Sequence, residues 1–164
     1  MSKLNYAQVF IRRTIIVLLG FMLIMHFSDQ WKNDRRGINA PLSELKGDGP
    51  VTKIKVGRSF NVDEDTFTVD EVYLSSQTVL ITYSYRSRSI SKWSFPAMSL
   101  KLIMPAGRQW SPGGGGSSGM NDGQRGYITF DHTGALPSTA KLVYDLYDRH
   151  AELELPLTKA GESK

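Results

Sequence analysis

The side chains best suited to chemistry are three histidines, a scatter of carboxylates and a set of serines. A zinc centre needs three or four converging ligands. Only His132 and His150 with a nearby carboxylate offer that, and no ligand spacing supports it. Asp131-His132 stands before Gly134 and Pro137, and His150 follows Asp148-Arg149, so both histidines read as solvated turn residues. His26 lies in an apolar run. The chain has no cysteine, which excludes disulfides and thiolate metal sites. There is no G-x-S-x-G. Ser117 and Ser118 sit in a glycine stretch too mobile to hold an oxyanion geometry, and Ser99 has no evident base partner; a triad assembled in space remains open. Asp63-Glu64-Asp65 offers oxygen ligands but no EF-hand pattern, and reads as a hairpin turn. Asp145 and Asp148 fall on opposite faces of a continuous strand, which is not the paired geometry of glycoside hydrolysis. The expectation is no catalytic, metal or cofactor residue.

Three tryptophans remain: Trp31, Trp93 and Trp110. Trp93, two residues before Phe95, reads as packing. Trp110 flanks the glycine stretch Pro112–Gly126, which holds seven of the chain's 15 glycines, and reads as exposed. Seven glycines carry a high ordering cost, so this stretch is expected to be a long flexible loop. It does not resemble a phosphate-binding loop, lacking the Lys-Ser/Thr pair and following helix. Trp110 and Arg125, near its two ends, are the expected partner contacts.

The elements that position these residues begin with a membrane anchor. Thr14–Phe27 carries no formal charge with His26 neutral. Lys3, Arg12 and Arg13 precede it, and no acid occurs before Asp29. A full span needs about 20 apolar residues. Val9, Phe10 and Ile11 extend the run, and Arg12 and Arg13 can snorkel to the headgroups. Trp31 suits the far interface. A cleaved signal peptide and a buried soluble helix are the alternatives; no A-x-A-like cleavage site follows the run. Retention of basic flanks inside places residues 1–13 in the cytoplasm and the remainder outside.

Charge supports this division. Residues 1–27 carry three basic residues and no acid, 28–50 carry four of each sign, and 51–164 carry 13 basic against 12 acidic residues. The overall pI near 9.3 therefore reflects the anchor more than the following domain. No basic stripe with interleaved aromatics appears, so nucleic acid is not an expected partner. Residues 28–50 read as a tether, with a short helical turn at Pro41–Lys46.

From Val51 the pattern becomes short strands: Thr52–Val56, Phe60–Val62, Thr66–Leu74, Val79–Tyr85, Met98–Met104, Tyr127–Phe130, Lys141–Tyr147 and Ala151–Leu157. Phe67 and Val69 share one parity while Val72 and Leu74 share the other, which predicts a bulge near Asp70-Glu71. Asp148-Arg149-His150 is the expected final turn. Seven to eight alternating strands over 51–157 predict an all-β, immunoglobulin-like antiparallel sandwich, followed by a disordered tail at 158–164.

The stretches V-G-R-S-F-N-V-D-E-D-T-F-T-V-D-E-V-Y-L-S (Val56–Ser75), T-V-L-I-T-Y-S-Y (Thr78–Tyr85), F-D-H-T-G-A-L-P (Phe130–Pro137) and L-V-Y-D-L-Y-D (Leu142–Asp148) carry a family resemblance. This region resembles the immunoglobulin-like ectodomains found in membrane-anchored, anti-sigma-factor-type proteins of Gram-positive spore-forming bacteria. The resemblance spans residues 51–157 and rests on core and turn positions. It implies a fold and no catalytic residues. In that family a cytoplasmic sigma-binding domain precedes the span; about 13 residues precede it here, so a direct anti-sigma role is not expected. The expected function is a non-enzymatic binding or sensing module at the cell membrane, contacting a protein or envelope polymer. The alternative is an envelope hydrolase with a spatially assembled site.

Overall fold

The computed structural model describes residues 3–88 and 94–158. The chain divides into two compact units, 1–34 and 35–164. The first is one helix, α1 (Lys3–Arg36), whose segment Arg12–Lys32 is 21 residues long and apolar enough to cross a membrane. Its large apolar side chains from Ile15 to Phe27 are all exposed. In water such a surface is unfavourable, at about 25 cal/mol per Å²; in hydrocarbon it is matched to its surroundings. The helix is longer than the 14–27 run expected from the sequence because its polar flanks continue the same backbone pattern.

In the second unit, the expected tether is largely structured. Gly37, at φ +64°, ends α1, and α2 follows (Asn39–Gly47). Pro41 lies within its first turn, where a missing N–H costs no helical hydrogen bond. Ile38 and Leu45 are buried, and Leu45 packs with Leu42 and Val51 on Tyr73, Leu80 and Tyr127.

The strands are β1 (Thr52–Val62), β2 (Asp65–Leu74), β3 (Thr78–Arg86), β4 (Leu100–Ile103), β5 (Gln109–Trp110), β6 (Gly114–Met120), β7 (Gly123–Asp131), β8 (Thr139–Leu146) and β9 (Arg149–Pro156). They form two antiparallel sheets, ordered β1-β2-β3-β7-β6 and β5-β4-β8-β9. The chain is an all-β antiparallel sandwich, changing sheets after β3, β5 and β7. The break expected at Gly57–Ser59 is a bulge within one strand: the β1 register shifts between Lys55 and Arg58, and Gly57 takes φ +61°. The bulge expected near Asp70-Glu71 is present, where the register shifts between Val69 and Glu71. It rotates Val72 and Leu74 into the same core as Phe67 and Val69.

Aromatic rings fill the middle of that core. Phe67 stacks on Phe60 and Tyr83, each at 4.9 Å between centroids, and lies 4.7 Å from Phe95. Phe95 in turn meets Tyr85 at 4.9 Å and Tyr144 at 5.1 Å, bridging the sheets. Trp93 lies outside the described residues, as do residues 159–164 of the expected tail.

Three local expectations are corrected. The last hairpin turns at Tyr147-Asp148, both at positive φ, as a two-residue connection of right-twisted strands requires; Arg149 and His150 open β9. Met98 lies in a short 3-10 turn (Ala97–Ser99) and is exposed, not in a strand beside Leu100. Most consequentially, the supposed flexible loop at Pro112–Gly126 is the β6–β7 hairpin, paired from Gly114↔Thr129 to Met120↔Gly123. Backbone pairing to β7 offsets the ordering cost. The glycines answer close packing: a Cβ at Gly116 would lie 2.9 Å from Tyr127 Cε1, and one at Gly115 would lie 2.9 Å from the Tyr127 carbonyl oxygen.

Candidate functional site

The outer face of the five-stranded sheet has two halves. Toward one end, Tyr73, Leu80 and Tyr127 are covered by α2. Toward the other, β2, β3 and β7 present Thr66, Thr68, Asp70, Ser84, Arg86 and Arg125 to an open groove of about 650 Å³, closed at its rim by Ser87, Arg88 and Asp122. Period-2 alternation puts these polar residues opposite the core positions of the same strands. Ser84 Oγ donates to Asp70 Oδ1 at 3.3 Å, and Arg86 Nε meets Asp122 Oδ2 at 3.5 Å. Arg125 Nε is buried and has no hydrogen-bond partner among the described residues. A buried donor without an acceptor costs about 1–3 kcal/mol, more when charged.

β6 borders this groove, since Ser118 pairs with Arg125 across the hairpin. A second depression of about 500 Å³ lies among Ser118, Gly119, Met120, Asn121, Asp122 and Arg125. As the terminal strand of its sheet, β6 has one flank without a strand partner among the described residues. Strand edges invite pairing with other chains and are usually blunted by charge, proline, bulges or shortness. The other three edges have such devices. β1 has Lys53, Lys55, Arg58 and a bulge; β9 has Glu152, Glu154 and Pro156; β5 is two residues long. β6 reads G-G-G-S-S-G-M, seven residues without charge or proline, and Gly115 and Ser117–Met120 are exposed.

The two residues expected to contact a partner are not neighbours. Arg125 lies near the start of β7, in the groove. Trp110 belongs to the other sheet and stacks on His132, just past the far end of β7, at 5.6 Å with 15° between planes. Trp110 is half-buried against the core rather than an exposed platform. His132, expected to be a solvated turn residue, is buried, with Nε2 3.3 Å from the Ser75 carbonyl oxygen. The cause is tertiary: the β2–β3 turn folds over it.

Gln124 was not singled out by the sequence, and Asp65, expected in a solvated hairpin turn with Asp63 and Glu64, instead opens β2. Asp65 is buried and accepts hydrogen bonds from Tyr85 Oη and the Arg88 amide. Burial, reinforced by that carboxylate, pushes the Tyr85 phenol above its ordinary range. Gln124 Nε2 donates to the Phe95 carbonyl at 3.1 Å and to Tyr83 Oη at 3.2 Å, while its Oε1 accepts from the Phe95 amide at 3.2 Å. This clamp holds Phe95 in the aromatic core. Its one legible signal was parity: Gln124 is in step with the inward-facing Ile128 and Phe130.

Among the described residues no group of three or more His, Asp or Glu is placed to hold a metal ion. Compared with protein-family models, curated proteins and solved structures, the chain finds no match in any of the three.

Proposed function

We propose that this chain is a membrane-anchored binding module whose sandwich captures an extended peptide segment of an envelope protein by adding it as a strand to β6. The observation that carries the reading is the unblunted edge: of the four sheet edges among the described residues, only β6 combines useful length with freedom from charge, proline and bulge. In strand addition, backbone hydrogen bonds supply affinity and pockets for alternate side chains supply selectivity. The depression beside Ser118 and Met120 offers such a pocket. The apolar helix tethers the module to a bilayer. The basic residues before the run, Lys3, Arg12 and Arg13, place its N-terminus in the cytoplasm and the sandwich outside. The resemblance to immunoglobulin-like ectodomains of membrane-anchored regulators of Gram-positive bacteria agrees with such a role.

Two measurements test this. A reporter active only outside the cytoplasm, fused to the C-terminus, is expected to be active; a well-expressed but silent fusion would remove the topology. For the edge, a photo-crosslinking residue at Ser117 of the anchored chain is expected to trap an extended segment of a partner protein. Ser118→Lys with Gly119→Lys should abolish that adduct while stability changes by no more than about 0.5 kcal/mol. Both positions are exposed, and a Cβ at Gly119 meets nothing within 4 Å. Adducts of unchanged yield in the double variant would show that binding does not use this edge.

A further inference from the structure

Beyond the strand edge, we propose that the polar half of the sheet's outer face binds the phosphate group of a sugar or polyol phosphate, with Arg125 as its principal ligand. Three arginines, Arg86, Arg88 and Arg125, line one groove against two carboxylates, Asp70 and Asp122. Arg86 pairs with Asp122, and Asp70 Oδ1 accepts from Ser84, while Asp70 Oδ2 is buried and makes no hydrogen bond among the described residues. The three guanidinium groups still outnumber the two carboxylates, and Arg125 carries the unmet donor. Its Nε–H is buried without an acceptor among the described residues, so a bound oxyanion would complete it.

The donors also come from different directions, Arg125 from β7, Arg86 and Arg88 from β3 and its end, and the hydroxyl of Thr68 from β2. A tetrahedral phosphate offers oxygens to several directions at once, whereas a planar carboxylate offers two in one plane. Guanidinium forks match phosphate oxygens well. The hydroxyl-lined floor suits a hydroxylated carrier, and about 650 Å³ accommodates a small one.

The test uses the full-length chain in non-ionic detergent micelles, with the Arg125 Nε–Hε resonance as readout. Glycerol 3-phosphate is expected to shift that resonance, inorganic phosphate to shift it at higher concentration, and glycerol alone not at all. Raising salt should weaken binding, because the charges are partly exposed. Arg125→Gln should lower affinity for glycerol 3-phosphate at least tenfold by calorimetry. Arg86→Gln should lower it a few fold; Arg86 is 72% exposed, so this variant stays folded even if the first does not. Phosphatidylglycerol added to the micelles separates the sources: competition marks a lipid headgroup as the ligand, and its absence a soluble phosphate, both within the proposal. Absence of any phosphate-induced shift, equal binding of galacturonate, or unchanged affinity in both variants would overturn it. The double lysine variant at Ser118 and Gly119 should retain phosphate binding, which separates failure here from failure of the strand-edge reading.

Discussion

Phe67→Ala is expected to lower the stability of the sandwich by about 4 kcal/mol, or about 12 °C in midpoint. Phe67 is fully buried and is the one ring in contact with Phe60, Tyr83 and Phe95 together. Truncation removes its transfer free energy, leaves a cavity, and breaks three aromatic contacts, each contributing about 0.5–1.5 kcal/mol beyond area burial. The neighbours cannot collapse inward, because Gln124 holds Phe95 by both backbone groups. Phe67→Leu should recover about half of the loss by keeping volume while losing ring geometry. Urea unfolding followed by circular dichroism measures both. A loss below about 1 kcal/mol for the alanine variant would mean that the ring stack does not organise the core.

The second large effect is alkaline. Tyr73, Tyr83, Tyr85 and Tyr144 all ionise above the ordinary tyrosine range, and burial is the main cause in each; Asp65 adds to it at Tyr85 and Glu71 at Tyr73. The unfolded chain ionises these phenols near pH 10, while the folded chain keeps them protonated. A raised folded-state value means stability that is fully present below pH 10 and is lost as pH rises toward the folded values. Each such phenol contributes at most about 1.4 kcal/mol per pH unit above pH 10. At pH 11 Tyr85 is expected to account for a loss of about 1 kcal/mol, with Tyr73, Tyr83 and Tyr144 adding in the same direction and a flat profile from pH 7 to 9 as far as tyrosines are concerned. Tyr85→Phe should make the alkaline slope shallower by about one phenol's share. It should also cost about 1–3 kcal/mol at neutral pH, because the buried Asp65 carboxylate loses a donor. Denaturant midpoints measured at pH 8, 10 and 11 decide this, and a profile equally flat across all three would contradict it.

The site was less legible in the sequence than the scaffold, and the residues show why. Phe67, Val69, Val72 and Leu74 announced their bulge through a change of parity, since side-chain direction in a strand depends only on neighbours one and two positions away. His132 had no such local signal. Its burial depends on the carbonyl of Ser75 and the ring of Trp110, one 57 residues away and the other in the opposite sheet. Trp110 and Arg125, close in sequence to the same glycine stretch, end near opposite ends of β7 because that stretch is a hairpin strand rather than a loop.

The glycine stretch holds the clearest lesson. Composition alone weighed the entropy of seven glycines and found nothing to offset it. The offset comes from a ladder of backbone hydrogen bonds to β7 and from the Tyr127 ring lying against Gly116. Neither term is visible in glycine, which has no side chain with which to declare a face. The same lack of side chains leaves β6 without charge or proline along its edge, so the feature that hid the strand from sequence reasoning is the one on which the proposed strand addition rests.

By itself, the sequence determined the apolar helix with its basic flank, the near-neutral domain behind it, and an all-β sandwich with strands close to their observed positions. Those properties rest on local hydrophobic periodicity and charge, which the order of residues contains directly. Tertiary structure alone decided which strand became the open edge, that α2 covers one half of the outer face, and that arginines from two separate segments, the end of β3 and the start of β7, share the other half. Those outcomes follow from strand order across the sheet, set by long-range pairing and core packing rather than by any residue's near neighbours.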